Sequence, residues 1–446
     1  MHPDNVFTRF KPRLDDPAIE FGSHKPAEVV AEVLKHLKAI AESQLGEEVA
    51  NAVITVPAWM QHTGRQVIQD GAVLAGLKPE RLVNEPIAAA HLYALDRGGE
   101  EGDILTVVDP GGGTTDVSVV ELSSVGGKVL ASSGDLSLGG QDLDRVVLEW
   151  WREQWMAEFG EDPLSDPAVI ADWILRAERA KEALSADSEI TEYLTSAGRT
   201  QKPTLTRQKF EQLIEGHIGR IEKCVRDALD RASVRAEDVD TVLLVGGSSR
   251  VPAIRAAIGS VFGRSIEHLV DPTSAVAKGA AVMAADLDGT ALRDRRGRPF
   301  LKSIFKDVAA HGLGIEAIDE KTGLPFNHVL IPAGAILPAR GTGLFRPQRD
   351  DAAAVKITLI EGSDRDISRC NILQRDYELP ISMPRKKENV EVSVTLGLTL
   401  DAIVEVEAEE PGGGVLREQF RRPEIVRGGE KKCASNSQVT STKPSP

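Results

Sequence analysis

Two stretches decide how this chain is read: Asp109-Pro110-Gly111-Gly112-Gly113-Thr114-Thr115-Asp116 and Gly246-Gly247-Ser248-Ser249-Arg250. The first lies between two apolar runs, Ile104 to Val108 and Val117 to Val120, which predicts a hairpin bent around three glycines. Without Cβ atoms, Gly111, Gly112 and Gly113 can take positive φ and bring backbone N–H groups close to phosphate oxygens, while Thr114 and Thr115 add hydroxyl donors. Asp109 and Asp116 would repel phosphate, but they suit hydrated Mg2+, which takes a carboxylate or two alongside water and substrate oxygens. The second stretch follows Thr241 to Val245 and runs into a helix marked by Pro252 and by Ile254, Ile258 and Val261 at helical spacing. A strand, a glycine turn and a helix N-terminus make an anion or nucleotide site. Gly246 and Gly247 let a flat base or sugar lie against the backbone, and Arg250 can stack on the base or pair with a carboxylate. Taken singly, the first stretch also fits a plain glycine-rich hairpin, and the second an ordinary strand-to-helix turn with a surface arginine.

Further segments stand in a telling order: Asn51-Ala52-Val53-Ile54-Thr55-Val56-Pro57-Ala58, Val83-Asn84-Glu85-Pro86-Ile87-Ala88-Ala89-Ala90, the Asp109 loop, Leu138-Gly139-Gly140-Gln141-Asp142-Leu143-Asp144, Ala177 to Ser185, and the Gly246 loop. In these segments and their order the chain resembles the DnaK-type heat-shock chaperones. The resemblance implies an α/β fold: an actin-like two-lobed ATPase domain with an incomplete first lobe, followed by a β-sandwich substrate-binding domain. The implied divisions are a nucleotide-binding domain over 1–285, a linker over 286–306, a peptide-binding sandwich over 307–428 and a disordered tail over 429–446.

Residue by residue, the resemblance implies that Asp109, Gly111, Gly112, Gly113 and Thr114 form a phosphate loop supported by Thr115 and Asp116. Asp109 would hold Mg2+ through water. Glu85 would sit beside the γ-phosphate of ATP, and Lys11, in Val6-Phe7-Thr8-Arg9-Phe10-Lys11, would orient the attacking water. Gly140, Glu178, Lys181 and Ser185 would grip the nucleotide from one side and Gly246, Gly247, Ser248 and Arg250 from the other. Pro57 and Arg65 match residues that relay nucleotide state. Implied partners are unfolded or extended apolar polypeptides, a J-domain co-chaperone and a nucleotide-exchange factor.

The chain also departs from that pattern. The family's opening strand and glycine-threonine phosphate loop are not found ahead of Lys11, and loss of one phosphate clamp would slow hydrolysis by about two to four orders of magnitude. ATP turnover is therefore left open, with a non-catalytic nucleotide- or peptide-binding module as the alternative. Thr273 and Ser274 stand where an acidic pair is usual, and a hydroxyl there is expected to weaken the nucleotide contact. The stretch equivalent to the family's aliphatic linker keeps only Ile304 and Phe305 as apolar residues, and no helical lid is read after the sandwich.

Beyond residue 307 the runs Val355 to Gly362, Val390 to Leu396 and Ala402 to Ala408 alternate apolar and polar residues, as strands with one buried face do. Such strands count against a sugar kinase or a filament-forming actin relative. Val29, Val30, Val33, Leu34, Leu37, Ile40 and Ala41 read as the core-facing stripe of a helix ended by Gly46. Trp150, Trp151, Trp155 and Trp173 read as helix packing. With 446 residues the chain is long enough for two or three domains, and its formal charge of −15 argues against a nucleic-acid partner. No run approaches the roughly twenty apolar residues of a membrane span, so cytoplasm is the expected location. Cys224, Cys370 and Cys433 are too far apart in sequence to suggest a disulfide framework or a zinc site.

Overall fold

The computed structural model describes residues 9–16, 18–123, 126–295, 297, 309, 311–319, 321–383, 385–411 and 413–419. In chain order the elements are α1 (Pro26–Leu45), β1 (Asn51–Val56), α2 (His62–Leu74), β2 (Lys78–Asn84), α3 (Glu85–Arg97), β3 (Ile104–Pro110), β4 (Thr115–Ser123) and β5 (Gly126–Asp135). Then follow α4 (Gly140–Phe159), α5 (Pro167–Ala183), β6 (Glu189–Thr191), β7 (Leu194–Ser196), β8 (Arg199–Gln201), β9 (Thr204–Thr206), α6 (Arg207–Leu213), α7 (Glu215–Ala232), β10 (Thr241–Leu244), α8 (Pro252–Val261) and α9 (Ala275–Leu287). The remainder is all strand: β11 (Leu313–Ile318), β12 (Pro325–Ile331), β13 (Ala339–Phe345), β14 (Ala354–Glu361), β15 (Asn371–Pro380), β16 (Val392–Leu398), β17 (Val404–Glu409) and β18 (Val415–Gln419). An α/β region is thus followed along the chain by a β-rich one.

Two compact units result, one of Pro57–Trp59 and Asn84–Phe305, the other of Met1–Val56, Met60–Val83 and Lys306–Pro446. The first is built on a sheet ordered β10-β3-β4-β5, with β10 parallel to β3 and the other pairs antiparallel. Val107, Val108, Val117, Val119 and Val120 are all at most 2% exposed, because helices cover both faces of the sheet. On one face α7 contributes Ile221, Val225 and Ala228. Beside it the indoles of Trp155 and Trp173 meet edge to face at 5.4 Å, within a core that also holds Trp151 and has Trp150 packed against it. The tryptophans are thus packing residues, as their spacing suggests. Helices α3 and α9 pack together through small residues, with Gly279 against the carbonyl of Ala88.

The second unit contains two four-stranded antiparallel sheets, β12-β11-β14-β15 and β13-β16-β17-β18. Alternation holds along β16, where Val392, Val394 and Leu396 are fully buried, and along β17, where Val404, Val406 and Ala408 are buried. The same unit holds α1, α2 and the β1–β2 pair. Here one expectation is corrected. Of the α1 stripe only Val30 is buried, with Pro26 and Ala31 beside it, whereas Val33, Leu37 and Ile40 are 45%, 54% and 43% exposed. Periodicity shows which face is apolar, but burial also needs a facing element, and α2 covers only the Val30 side, where Gly71 lets the helices approach. The helix does end at Gly46, at φ 74°. Residues 303–307 and the tail after 419 lie outside the described residues.

Within this unit the start of α2 and strand β2 are bonded to the sandwich. The His62 N–H donates to Glu361 Oε1 at 3.2 Å, His62 Nδ1 lies 3.2 Å from the Ala402 carbonyl, and the Leu82 N–H donates to Asp401 at 3.0 Å. Burial pushes the Glu361 carboxyl up to about 7, partly offset by the His62 N–H and by Arg65 and reinforced by the charge of Asp15. Asp15 and Asp401 are also raised by burial. A carboxyl raised on folding binds its proton more tightly in the folded state, so the stability it confers is present below its ordinary value and lost as pH rises through about 7. Urea midpoints followed by circular dichroism are expected to fall between about pH 5 and about pH 8, and Glu361→Gln to flatten that fall. An unchanged slope in the variant would assign the pH dependence to other groups.

Candidate functional site

The β3–β4 hairpin places Asp109 directly opposite Asp116, and Pro110 opposite Thr115. Its glycine turn is closed by the Gly111 N–H donating to the Thr114 carbonyl at 2.8 Å. Asp109 and Asp116 line a narrow pocket of about 10 Å³ together with Glu85 and Pro86 from the first turn of α3, Val276 from the first turn of α9, and Ala58, Val107 and Ser118. Three carboxylates expected at a nucleotide-phosphate site are therefore brought together.

The glycine turn is held by what surrounds it. The N–H groups of Gly140 and Gln141 at the start of α4 donate to the carbonyls of Gly111 and Gly112 at 2.9 and 2.8 Å. Gly139 lies so close that a Cβ there would sit 2.5 Å from the Gly113 nitrogen and 2.6 Å from the Gly112 carbon. From the second glycine stretch, Ser248 Oγ donates to the Gly111 carbonyl at 3.0 Å. Gly246, at φ 72° and ψ 143°, presses against Asp109, and a Cβ there would collide with Asp109 Oδ1 and lie 2.6 Å from the Pro110 carbonyl oxygen. By contrast, space around Gly112 is open. Both glycine stretches thus meet, for a steric reason that neither shows alone: backbone touches backbone where any side chain would intrude.

The threonines divide their work. Thr114 Oγ1 donates to Asp116 Oδ2 at 3.0 Å, whereas Thr115 is fully buried and its hydroxyl donates to the Leu138 carbonyl at 2.8 Å. The Thr115 hydroxyl therefore anchors the loop and is not offered to a ligand, a difference from the donor role read in sequence. Lys181, 9% exposed, pairs with Asp144 at 2.8 Å and lies 3.3 Å from the Gly140 carbonyl. Burial raises the Asp144 carboxyl, Lys181 opposes that shift, and the charges of Glu178 and Glu182 add to it. Glu178 is exposed on α5, and Ser185 lies in the turn after α5 ends at Ala183. Gly247 opens the short 3-10 turn Gly247–Arg250, at whose end Arg250 Nη2 donates to Asp271 Oδ1 at 2.8 Å.

Lys11 belongs to the other compact unit, where it begins a one-turn 3-10 helix, Lys11–Arg13, and does not lie on a strand. In that unit Arg65 is 3% exposed and its Nε donates to the Met60 carbonyl at 3.1 Å. Sequence reasoning passed over Gly139, Asp144 and Asp271 as site-forming residues. The adjacent Leu138 to Asp144 segment held the signal for the first two; the third had none.

The donor set fits ATP with Mg2+. Opposed carboxylates stand beside a turn of three glycines, and at Gly139, Gly140 and Gly246 a Cβ would fill the space that backbone and side-chain polar groups occupy. Among the described residues, no helix is long and apolar enough to cross a membrane.

Comparison with known proteins bears on the same residues. A family model described as Hsp70 protein matches residues 11–424. The protein named Chaperone protein DnaK from Thermosipho melanesiensis is 35% identical over 413 residues, which cover 91% of this chain and 66% of that protein. Its namesake from Thermosipho africanus is 34% identical over 413 residues, with the same coverage. The Chaperone protein HscA homolog of Pseudomonas putida is 36% identical over 394 residues, or 88% of this chain and 60% of that protein. The chain spans less than two thirds of the length of these relatives. With the family match running through the glycine stretches, the cleft carboxylates and the strands of the sandwich alike, this chain belongs to the Hsp70 family.

Proposed function

We propose that this chain is a DnaK-like chaperone that binds ATP with Mg2+ in the cleft beside Asp109 and uses nucleotide state to control its hold on extended apolar polypeptides. The observation that carries this reading is the opposed pair Asp109 and Asp116, set beside a welded glycine turn and sharing a cleft with Glu85. In this reading Gly111, Gly112, Gly113 and Thr114 present backbone and hydroxyl donors to phosphate, and Asp109 holds Mg2+ through water. The ion, when bound, would neutralise phosphate charge. Glu85 would sit beside the γ-phosphate. Gly140, Lys181, Glu178 and Ser185 border the adenosine on one side and Gly246, Gly247, Ser248 and Arg250 on the other. Residues 1–285 would serve nucleotide, 286–306 the connection, and 307–428 the peptide, whose backbone a sandwich can satisfy by strand-type hydrogen bonds. Clients would be unfolded polypeptides in the cytoplasm, with a J-domain co-chaperone and an exchange factor setting the pace.

Calorimetric titration of the folded chain with MgATP tests the reading, run beside fluorescence anisotropy of a labelled apolar peptide. One saturable site is expected, with peptide release faster in ATP than without it. Asp109→Asn is expected to weaken MgATP binding about tenfold, the size of one lost charge-assisted contact. A folded wild-type chain that takes up no ATP would refute the proposal.

A further inference from the structure

We infer that Asp271 positions Arg250 against the adenine, an inference that rests on the reading of this cleft as an ATP site. Arg250 is a long side chain at the surface, with more than half of it exposed. Left free it would sample many rotamers, and a base that required one of them would bind more weakly by the entropy of selecting it. The structure removes that freedom through Asp271. The Arg250 guanidinium donates to Asp271 Oδ1 at 2.8 Å. The carboxylate is itself held from its own side: Thr273 Oγ1 donates at 3.0 Å, Ser274 Oγ at 2.6 Å and the Thr273 N–H at 3.4 Å.

The backbone closes the arrangement. The Gly246 N–H donates to the Pro272 carbonyl at 2.9 Å, so the residue next to Asp271 is tied to the turn from which Arg250 projects. Gly246 and Arg250 are thus each fixed to neighbouring residues of one short segment. That segment in turn starts α9, with the N–H groups of Ser274 and Ala275 returning to the Asp271 carbonyl. Hydrogen bonds from Ser274 and Thr273, with the charge of Arg250, hold the Asp271 carboxyl down at about 2, so it stays ionised throughout the neutral range.

Thr273 and Ser274 stand where an acidic pair is usual. Their hydroxyls orient an acid placed two residues earlier, and that acid reaches Arg250. Asp271 is a positioning residue: it acts on the nucleotide through Arg250.

The test compares MgATP with Mg-tripolyphosphate, which carries the phosphates and lacks the base, on the full chain by calorimetry. Asp271→Asn keeps an acceptor for the local hydroxyls and removes the charge. It is expected to weaken ATP binding about three- to fivefold and to change tripolyphosphate binding by less than about twofold, with Asp271→Glu recovering most of the loss. Unchanged ATP affinity in Asp271→Asn would overturn the inference while leaving the ATP site standing. Equal losses for both ligands would overturn it too, by reducing Asp271 to a structural cap. Absence of ATP binding by the folded wild type would instead remove the functional reading, and this inference with it.

Discussion

Gly246→Ala is expected to leave the chain without useful affinity for MgATP. Two effects add. Gly246 sits at φ 72° and ψ 143°, a region nearly closed to residues with a Cβ, where occupancy costs about 1–3 kcal/mol. The new methyl would also run into Asp109 Oδ1 and lie 2.8 Å from the Pro110 carbonyl carbon, in the loop that carries the metal-binding carboxylate of the proposed site. The Asp109 side chain could swing away, but the backbone at Pro110 belongs to β3 and is paired with Thr115 across the hairpin. Relief therefore has to come from separating the two glycine stretches, which also opens the Ser248 bond to the Gly111 carbonyl. Together the strain and the displacement amount to about 3–5 kcal/mol, or roughly a hundred- to several thousandfold in affinity. Calorimetry on the variant, with circular dichroism to establish that it is folded, decides the matter. Binding within a few-fold of wild type would mean that the two stretches need not touch for nucleotide to be held.

Gly279→Ala is expected to destabilise the α/β unit, although the same change on an exposed helix would stabilise it. Alanine is favoured over glycine in a helix interior by about 1 kcal/mol. Against that gain stands the geometry between α3 and α9, where a Cβ on Gly279 would overlap the carbonyl of Ala88. Ala88, Ala89 and Ala90 are fully buried, and the obstacle is backbone, so rotamer changes cannot relieve it. Overpacking of this kind costs about 3 kcal/mol or more when a helix must shift, which outweighs the propensity gain and leaves a net loss of about 2–3 kcal/mol. The loss should also reach the cleft, because Glu85 and Val276 lie in the first turns of these two helices. Urea unfolding followed by tryptophan fluorescence reads the unit directly, since the Trp151, Trp155 and Trp173 core belongs to it. A midpoint at or above the wild-type value would show that α3 and α9 have room to part.

Much of the chemistry could be read from the chain because it resides in short segments whose physics is local. Three consecutive glycines between apolar runs have few uses other than a tight turn, and Ile104 to Val108, Val117 to Val120 and Thr241 to Val245 are strands in the structure within three residues at either end. Alternation likewise foretold β14, β16 and β17, since a strand with one wet face shows its period in any context. Other features depended on what lies opposite. The apolar stripe of α1 was plain, yet burial of Val33, Leu37 and Ile40 needed a facing element that their spacing cannot supply. Thr115 carries the same hydroxyl as Thr114, and only the Leu138 carbonyl above it turns one into an anchor and leaves the other beside Asp116.

The sequence by itself thus determined the kind of chain this is: an α/β region with two glycine loops, then alternating strands, in an order that marks the Hsp70 family. Tertiary structure decided which groups meet. Lys181 and Asp144 lie 37 residues apart, and Arg250 and Asp271 lie 21 apart, yet each pair closes to 2.8 Å. Gly246 touches Asp109 across more than a hundred residues. Local propensity is a property of neighbouring residues and survives in the linear text. Contact between distant groups is a property of how sheet and helices pack, and a single chain of letters carries no record of that distance.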